Sequence, residues 1–263
     1  MAEISVIMSV YNDAVYLQSA IDSILSQTFT DFEFIVCNDC STDCSLKILE
    51  GYKDRRIKII QNTENMGLAA SLNKCIKISS APYIARMDSD DISMPDRLKT
   101  EYDFLKEHSE YDVVGSKCNV IDENGNVYKE FLIHNAEVTL LDALKKVCVI
   151  HPTVLMRRRP VEEVGGYTVS ELTSRAEDYD LWCKLLSNNH RIFNLDKTLL
   201  CYREGLSGIK KRKYKYRIQE AKLKYHWMKR EGAPKSAYLF ILKPLLIGMI
   251  PLKLMSIYKR KHQ

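Results

Sequence analysis

The chain has 263 residues, 46% of them hydrophobic and 28% charged. That composition gives a soluble globular protein with a sizeable core and excludes a disordered chain, a collagen or a small disulfide scaffold. Net charge is +5 but unevenly spread: residues 201–263 hold 17 basic and 3 acidic side chains, a net +14, and the first 200 residues are net −9. An acidic body with a basic tail points to a polyanionic partner, either nucleic acid or an anionic membrane surface, or to a tail that is merely solvated.

In chain order, Ile4–Val10 is an apolar, β-branched run and predicts a strand. Asp13 is placed to cap the following helix, whose apolar face is Ala14, Leu17, Ala20, Ile21, Ile24 and Leu25. Residues 32–37 predict a second strand, 38–43 a polar loop and 44–52 a helix; Ile57–Gln61 reads as a third strand. Leu68, Leu72, Cys75 and Ile76 mark another helical face, Tyr83–Met87 a fourth strand, and Pro95 is expected at the first position of the next helix. This β-α alternation predicts a parallel sheet with helices on both faces, and ligands in such sheets bind beyond the carboxyl ends of the strands. Three polar clusters fall there: Tyr11-Asn12-Asp13, Asn38-Asp39-Cys40-Ser41 and Asp88-Ser89-Asp90-Asp91. Carboxylates from three loops on one rim repel one another unless a cation sits among them.

Beyond residue 110 the pattern changes. Val113–Ile121 and residues 127–132 flank a hairpin-like turn, Asp122-Glu123-Asn124-Gly125-Asn126. Residues 149–157 predict a strand, and 176–186 a helix with Leu181, Trp182, Leu185 and Leu186 on one face. Residues 210–230 read as a basic helix. Residues 237–258 are apolar but broken by Lys243, Pro244, Gly248, Pro251 and Lys253, which disfavours a membrane span and suits either an interfacial segment with basic flanks or a helix packed on the body. The N-terminus has neither a basic n-region nor a long apolar h-region, so the eight cysteines are expected as reduced thiols in a cytoplasmic protein, including Cys37 and Cys40 of a C-x-x-C without a second ligand pair.

Asp88-Ser89-Asp90 at a strand end is a D-x-D: two carboxylates one residue apart suit one Mg²⁺ or Mn²⁺ and its diphosphate, though an acidic surface loop has the same spelling. Asp39 stands where a carboxylate can accept the imide N–H of a uracil ring, or equally close an Asx-turn. Glu177 and Asp178 open an amphipathic helix, where the dipole keeps an acid ionised; a base near neutral pH also needs desolvation.

Taken in order, Val6-Ile7-Met8-Ser9-Val10-Tyr11-Asn12, Asn38-Asp39-Cys40-Ser41-Thr42-Asp43, Asn65-Met66-Gly67, Asp88-Ser89-Asp90-Asp91 and Glu177-Asp178 resemble the signature of family 2 glycosyltransferases of the GT-A fold, nearest to the enzymes of bacterial capsule and exopolysaccharide synthesis. The resemblance covers residues 3–205. It implies an α/β fold with a Rossmann-like, mostly parallel central sheet flanked by helices. Residues 1–205 would form the transferase domain, with 1–110 the nucleotide-binding half and 111–205 the acceptor half, and 206–263 a basic amphipathic helical extension. Ser9, Tyr11 and Asp39 would line the base pocket, with Tyr11 stacked on uracil. Asp88 would approach the ribose or the metal, Asp90 would be the main ligand of Mn²⁺ or Mg²⁺, and Asp178 the general base. The reaction implied is an inverting, metal-dependent transfer from a nucleotide sugar, with UDP the expected nucleotide, to a saccharide or lipid-linked saccharide acceptor, at the inner face of the cell membrane.

The chain departs from the family pattern at named positions. Asn38 replaces an aspartate, Cys40 a glycine and Leu72 an arginine, and Glu204-Gly205 follow Tyr202-Arg203 where a histidine is usual. Arg86 and Lys74 are the candidates for the missing phosphate contact, and His151 is placed near the acceptor or serves only structure. A sugar nucleotidyltransferase would need a glycine-rich basic loop after the first strand, and an oxidoreductase a G-x-G-x-x-G; the chain has neither. A non-enzymatic adaptor or nucleic-acid binder would use the aromatic-cationic run 210–217, but has no need of three acidic loops on one rim.

Overall fold

The computed structural model describes residues 2–131, 133, 136–204 and 214–249. Strands β1 (Ile4–Val10), β2 (Phe32–Asn38), β3 (Ile57–Gln61) and β4 (Tyr83–Met87) lie parallel in the order β3-β2-β1-β4. The apolar runs of β1, β2 and β4 are buried because helices cover both faces, whereas β3 is the half-exposed edge strand. Even-numbered Val6, Met8, Phe34 and Val36 pack under α1 (Leu17–Leu25) and α4 (Arg97–Glu107), and odd-numbered Ile7, Ile35 and Cys37 under α3 (Leu68–Ile78). The period of two along each strand separates the two core layers.

The sheet continues past β4 with reversed neighbours. Strand β9 (Leu155–Arg157) is antiparallel to β4 and to β6 (Val113–Ile121), and β10 (Ile192–Arg203) runs parallel to β6 with register shifts between Leu195 and Leu200. Short β5 (Ile92–Ser93) and β8 (Glu137–Val138) each add antiparallel to β10, β5 tying the loop after β4 to the far side of the sheet. The expected hairpin is present: β7 (Val127–Phe131) pairs with β6, and Asp122 Oδ1 accepts from the N–H groups of Asn124 and Asn126 at 2.8 Å each.

Three local expectations are corrected. Helix α4 begins at Arg97 behind Asp96, so Pro95 lies outside it, where its carbonyl accepts from Thr28 N at 2.9 Å. Asp13 does not cap α1 with its side chain: its carbonyl receives the N–H of Leu17, and its carboxylate instead accepts from Ser89 Oγ at 2.6 Å. Residues 149–157 are not one strand. His151–Thr153 forms a 3₁₀ turn first, because Pro152 fixes its own φ and has no N–H for a ladder.

The first part of the basic tail packs on the body. Helices α2 (Ser45–Gly51), α5 (Leu140–Lys145), α6 (Arg158–Glu163) and α7 (Glu177–Ser187) precede α8 (Tyr214–Arg230), which buries Leu223, Trp227 and Met228 in the core cluster that holds Leu181 and Trp182 of α7. Trp227 Nε1 donates to Asp180 Oδ1 at 2.9 Å. A tryptophan removing roughly 200 Å² from water contributes about 5 kcal/mol, ample to dock a helix. Residues Lys235–Ile241 form a 3₁₀ segment leading into α9 (Leu242–Met249). The remaining residues of the tail lie outside the described ones. Among the described residues no helix is long and apolar enough to cross a membrane.

Candidate active site

Two loops at the carboxyl edge are zipped together by side chain–backbone bonds. Asn12, at φ 53°, accepts on Oδ1 from Thr42 N at 2.7 Å, and its own N–H donates to Ser41 Oγ at 3.1 Å. Asp43 Oδ2 accepts from Ala14 N at 3.0 Å. Tyr11, at the tip, is 49% exposed, and Ser9 sits half-buried at the end of β1 opposite Cys37. Asp39, just past β2, is buried: Oδ1 accepts from Asn62 Nδ2 at 2.7 Å and Met66 N at 2.8 Å, and Oδ2 from Gly67 N at 2.8 Å. A carboxylate has about four lone-pair sites, so one remains for a ligand N–H. Lys74 Nζ donates to Asn62 Oδ1 at 2.7 Å and so supports this chain from behind. Gly67, at φ 84° and ψ 165°, occupies a region open essentially only to glycine, which is what lets its N–H turn back to Asp39.

The loop after β4 gathers the acids. Asp88, Asp90 and Asp91 each offer a carboxylate oxygen within 4.8 Å of the others. Burial, then the charges of Asp88 and Asp13, push Asp90 up to about 7. Burial pushes Asp91 well above the carboxylate range, and Asp88 and Asp90 add to it. Asp91 Oδ1 accepts from Arg203 N at 2.7 Å, whereas its buried Oδ2 has no partner. Arg203 also donates from Nε to the Asp90 carbonyl at 2.8 Å and from Nη1 to the Asp122 carbonyl at 2.7 Å. An orphaned buried carboxylate oxygen among like charges fits a hard divalent cation, which takes oxygen ligands and lifts the repulsion.

Across from these acids a cavity of about 610 Å³ opens, lined by Asp88, Arg86, His151, Glu177, Asp178 and Trp182 among others. Arg86 is buried. Its Nη2 pairs with Asp88 Oδ1, while Nε and Nη1 are buried without a partner. His151 Nε2 lies 2.6 Å from Tyr167 Oη, and burial, aided by the Arg86 charge, holds the imidazole well below its usual pKa and therefore neutral. Glu177 is pushed up to about 7 by burial and by Asp178. Asp178 is raised by burial, although its Oδ1 accepts from Tyr179 N at 2.8 Å. The third acid of this helix start, Asp180, is spent on structure: Oδ2 accepts from Thr168 Oγ1 at 2.6 Å and Oδ1 from Trp227.

Of the residues singled out in the sequence, Asp88 and Asp178 thus line one cavity, and Asp90 belongs to the acid cluster beside it. Ser9, Tyr11 and Asp39 stand on the neighbouring loops and are not among that cavity's walls. His151 does line it; Lys74 is committed to Asn62, and Leu72 is core. Arg203 had no role read from sequence, Glu177 was singled out only together with Asp178, and Arg86, the candidate phosphate contact, pairs with Asp88. Arg86 carried a visible signal, a cation inside an apolar strand.

A mixed sheet whose first four strands run parallel, with an acid cluster at the end of the fourth beside a cavity that holds the half-buried acids Glu177 and Asp178, has the layout of a transferase. Residues 5–165 match the family model "Glycosyl transferase family 2", and the chain belongs to that family and has the GT-A fold. It is 38% identical over 263 residues, covering 99% of this chain and 94% of the relative, to EpsE of Bacillus subtilis, a protein named as a glycosyltransferase. It is 28% identical to WfaP of Escherichia coli, named UDP-Glc:alpha-D-GlcNAc-diphosphoundecaprenol beta-1,3-glucosyltransferase, over 83% of this chain and 84% of that one. Among solved structures, S. aureus TarS 1-349 in complex with UDP superposes with a TM-score of 0.71 at 26% identity, covering 94% of this chain and 71% of that chain. The chain is therefore a glycosyltransferase rather than a non-enzymatic adaptor.

Proposed function

We propose that the protein is a metal-dependent, inverting glycosyltransferase that moves a sugar from a UDP-sugar to a saccharide or lipid-linked saccharide acceptor in cell-surface polysaccharide synthesis. The observation that carries this is the pairing, across one cavity, of Asp88 of the acid cluster, with the orphaned Asp91 oxygen behind it, and the half-buried acid Asp178. Asp90 and Asp88 hold Mn²⁺ or Mg²⁺, with Asp91 behind them. When bound, that ion neutralises charge on the departing nucleoside diphosphate. Ser9, Tyr11 and Asp39 receive the base: Tyr11 offers an exposed ring to stack on it, and Asp39 keeps one acceptor site for an imide N–H. Arg86 orients Asp88 and has two free donors for a negatively charged substrate oxygen.

Asp178 takes the proton of the acceptor hydroxyl as that oxygen bonds to the anomeric carbon, and the bond from the same carbon to the diphosphate oxygen breaks on the opposite face. A single displacement of this kind inverts the anomeric centre, through a transition state with oxocarbenium character. The raised pKa of Asp178 makes it a better base than a solvated aspartate. UDP bound to TarS and the UDP-Glc and diphosphoundecaprenol in the name of WfaP support the donor and acceptor classes. In this reading residues 1–205 are the catalytic unit. The extension 206–263 holds it at the inner membrane face, supported by exposed Leu239, Leu242, Leu246 and Met249 beside the basic residues of the tail.

The test is a thermal-shift panel of UDP-, GDP- and CMP-sugars with Mn²⁺, since a ligand that binds only the native state raises the melting point. A response confined to UDP-sugars that disappears in Asp90→Ala is expected; a folded Asp90→Ala protein with undiminished turnover would overturn the reading.

A further inference from the structure

Three cations that line the cavity each stand over an aromatic ring. Lys129 Nζ stands 5.9 Å from the ring centroid of Phe131, Arg175 Cζ 5.4 Å from that of Tyr216, and Lys224 Nζ 5.2 Å from that of Tyr179. All six residues line the same cavity, and they come from β7, the approach to α7, α7 itself and α8. A ring face attracts a cation by roughly 0.5–2 kcal/mol and consumes none of its N–H donors. A carboxylate partner would consume them, as Glu220 does for Arg217 at 2.8 Å in the same cavity.

Lys224 makes the point most sharply. It is 6% exposed, its ammonium makes no hydrogen bond to a described residue beside the contact with Tyr179, and burial holds its pKa down against the pull of the Glu220 charge. An ammonium that lines a cavity with its N–H donors uncommitted is open to a ligand that supplies acceptors. Arg175 adds an independent sign. Its backbone sits at φ 64°, a left-handed conformation uncommon outside glycine, and such strain gathers at ligand sites. Arg175 precedes α7 and Lys224 sits over Tyr179, the neighbour of Asp178, so these cations share the cavity with the proposed base, whereas the proposed donor diphosphate belongs to the Asp88–Asp91 loop.

We propose that this part of the cavity is an anion subsite for the acceptor: the molecule that presents its hydroxyl to Asp178 carries a negatively charged phosphate or carboxylate group close to that hydroxyl. The inference rests on the glycosyltransferase reading of the cavity. The charge could come from a lipid diphosphate or from an acidic sugar, and two matched probe pairs separate these sources: farnesyl diphosphate against farnesol, and methyl glucuronide against methyl glucoside.

Binding of each probe is measured by calorimetry with and without saturating UDP and Mn²⁺. We expect one charged member to bind at least tenfold tighter than its neutral partner, an advantage reduced about tenfold by Arg175→Gln and by Lys224→Gln. A diphosphate-only response identifies a lipid diphosphate, and a glucuronide-only response an acidic sugar. Equal binding of charged and neutral partners, or an advantage that survives both substitutions, overturns the proposal. Lys224 is buried and its variant can fail to fold; the exposed Arg175 then decides. Absence of UDP binding in the unsubstituted protein would sink the donor reading, while the UDP-free arm still decides the anion subsite.

Discussion

Folding moves Asp90 and Asp91 away from the pKa of an ordinary aspartate, upward to about 7 for the first and well above the carboxylate range for the second. Such groups bind more protons folded than unfolded, so stability falls as pH rises from the unfolded value, about 4, through the folded one. In EDTA we expect the melting temperature to drop between about pH 5 and about pH 7.5, and Mn²⁺ to restore it at the upper value. Asp90→Asn should flatten the drop and remove the Mn²⁺ response; a metal-free protein equally stable across that range would contradict the assigned burial. Asp178→Asn should leave UDP affinity in place and lower kcat by about 10²–10⁴, read in steady-state turnover. Cys40 tests backbone strain. It holds φ 58° where the family pattern has glycine, and that conformation costs an L-residue about 1–2 kcal/mol, offset in part by the greater unfolded-state freedom of glycine. Cys40→Gly should therefore gain about 0.5–1 kcal/mol in urea denaturation.

At the scale of elements, β1, β2 and β4 were readable because strands buried on both faces are dominated by apolar residues such as Val6, Phe34 and Ile84, and the half-exposed edge strand β3 by its β-branched Ile57, Ile59 and Ile60. The segment 149–157 was not, since Val149, Val154 and Leu155 look like a strand until Pro152 is required to donate to a ladder. Asp39, Asp88 and Asp90 announced themselves by their place after strands. The partnership of Asp91 with Arg203 did not, because the two are 112 residues apart and joined through β5 and β10. Arg86 was visible as a charge inside a strand, but its free Nε and Nη1 follow from packing alone. Two elements give mutational predictions. Gly67→Ala meets no atom within 4 Å, so its cost is conformational, about 1–3 kcal/mol, and it should weaken UDP binding by moving an N–H off Asp39. Trp227→Ala should destabilise by about 3–5 kcal/mol, because it empties the contact of α8 and strips Asp180 of a donor.

For the whole molecule, the separation of an acidic body from a basic tail resolves into a docked helix, α8, and a following stretch whose apolar side chains are uncovered. Leu239, Leu246 and Met249 are 69%, 62% and 70% exposed. Changing all three to serine should reduce flotation with phosphatidylglycerol vesicles at least tenfold while turnover on a water-soluble acceptor persists, and binding by the unsubstituted protein should weaken as salt rises. Equal flotation of both proteins would remove the membrane from the account.

The three bonds from Arg203 to the Asp90–Asp91 turn and the Asp122 carbonyl have a consequence for the order of assembly. A ribosome that has released residues 1–110 has delivered the four parallel strands and every aspartate of the turn, but not the backbone amide that hydrogen-bonds Asp91. The nascent amino-terminal half therefore holds its acids in an unbraced loop until β10 emerges nearly a hundred residues later. A fragment ending near residue 110 should be unable to retain Mn²⁺, and supplying the missing portion as a separate polypeptide should bring that ability back.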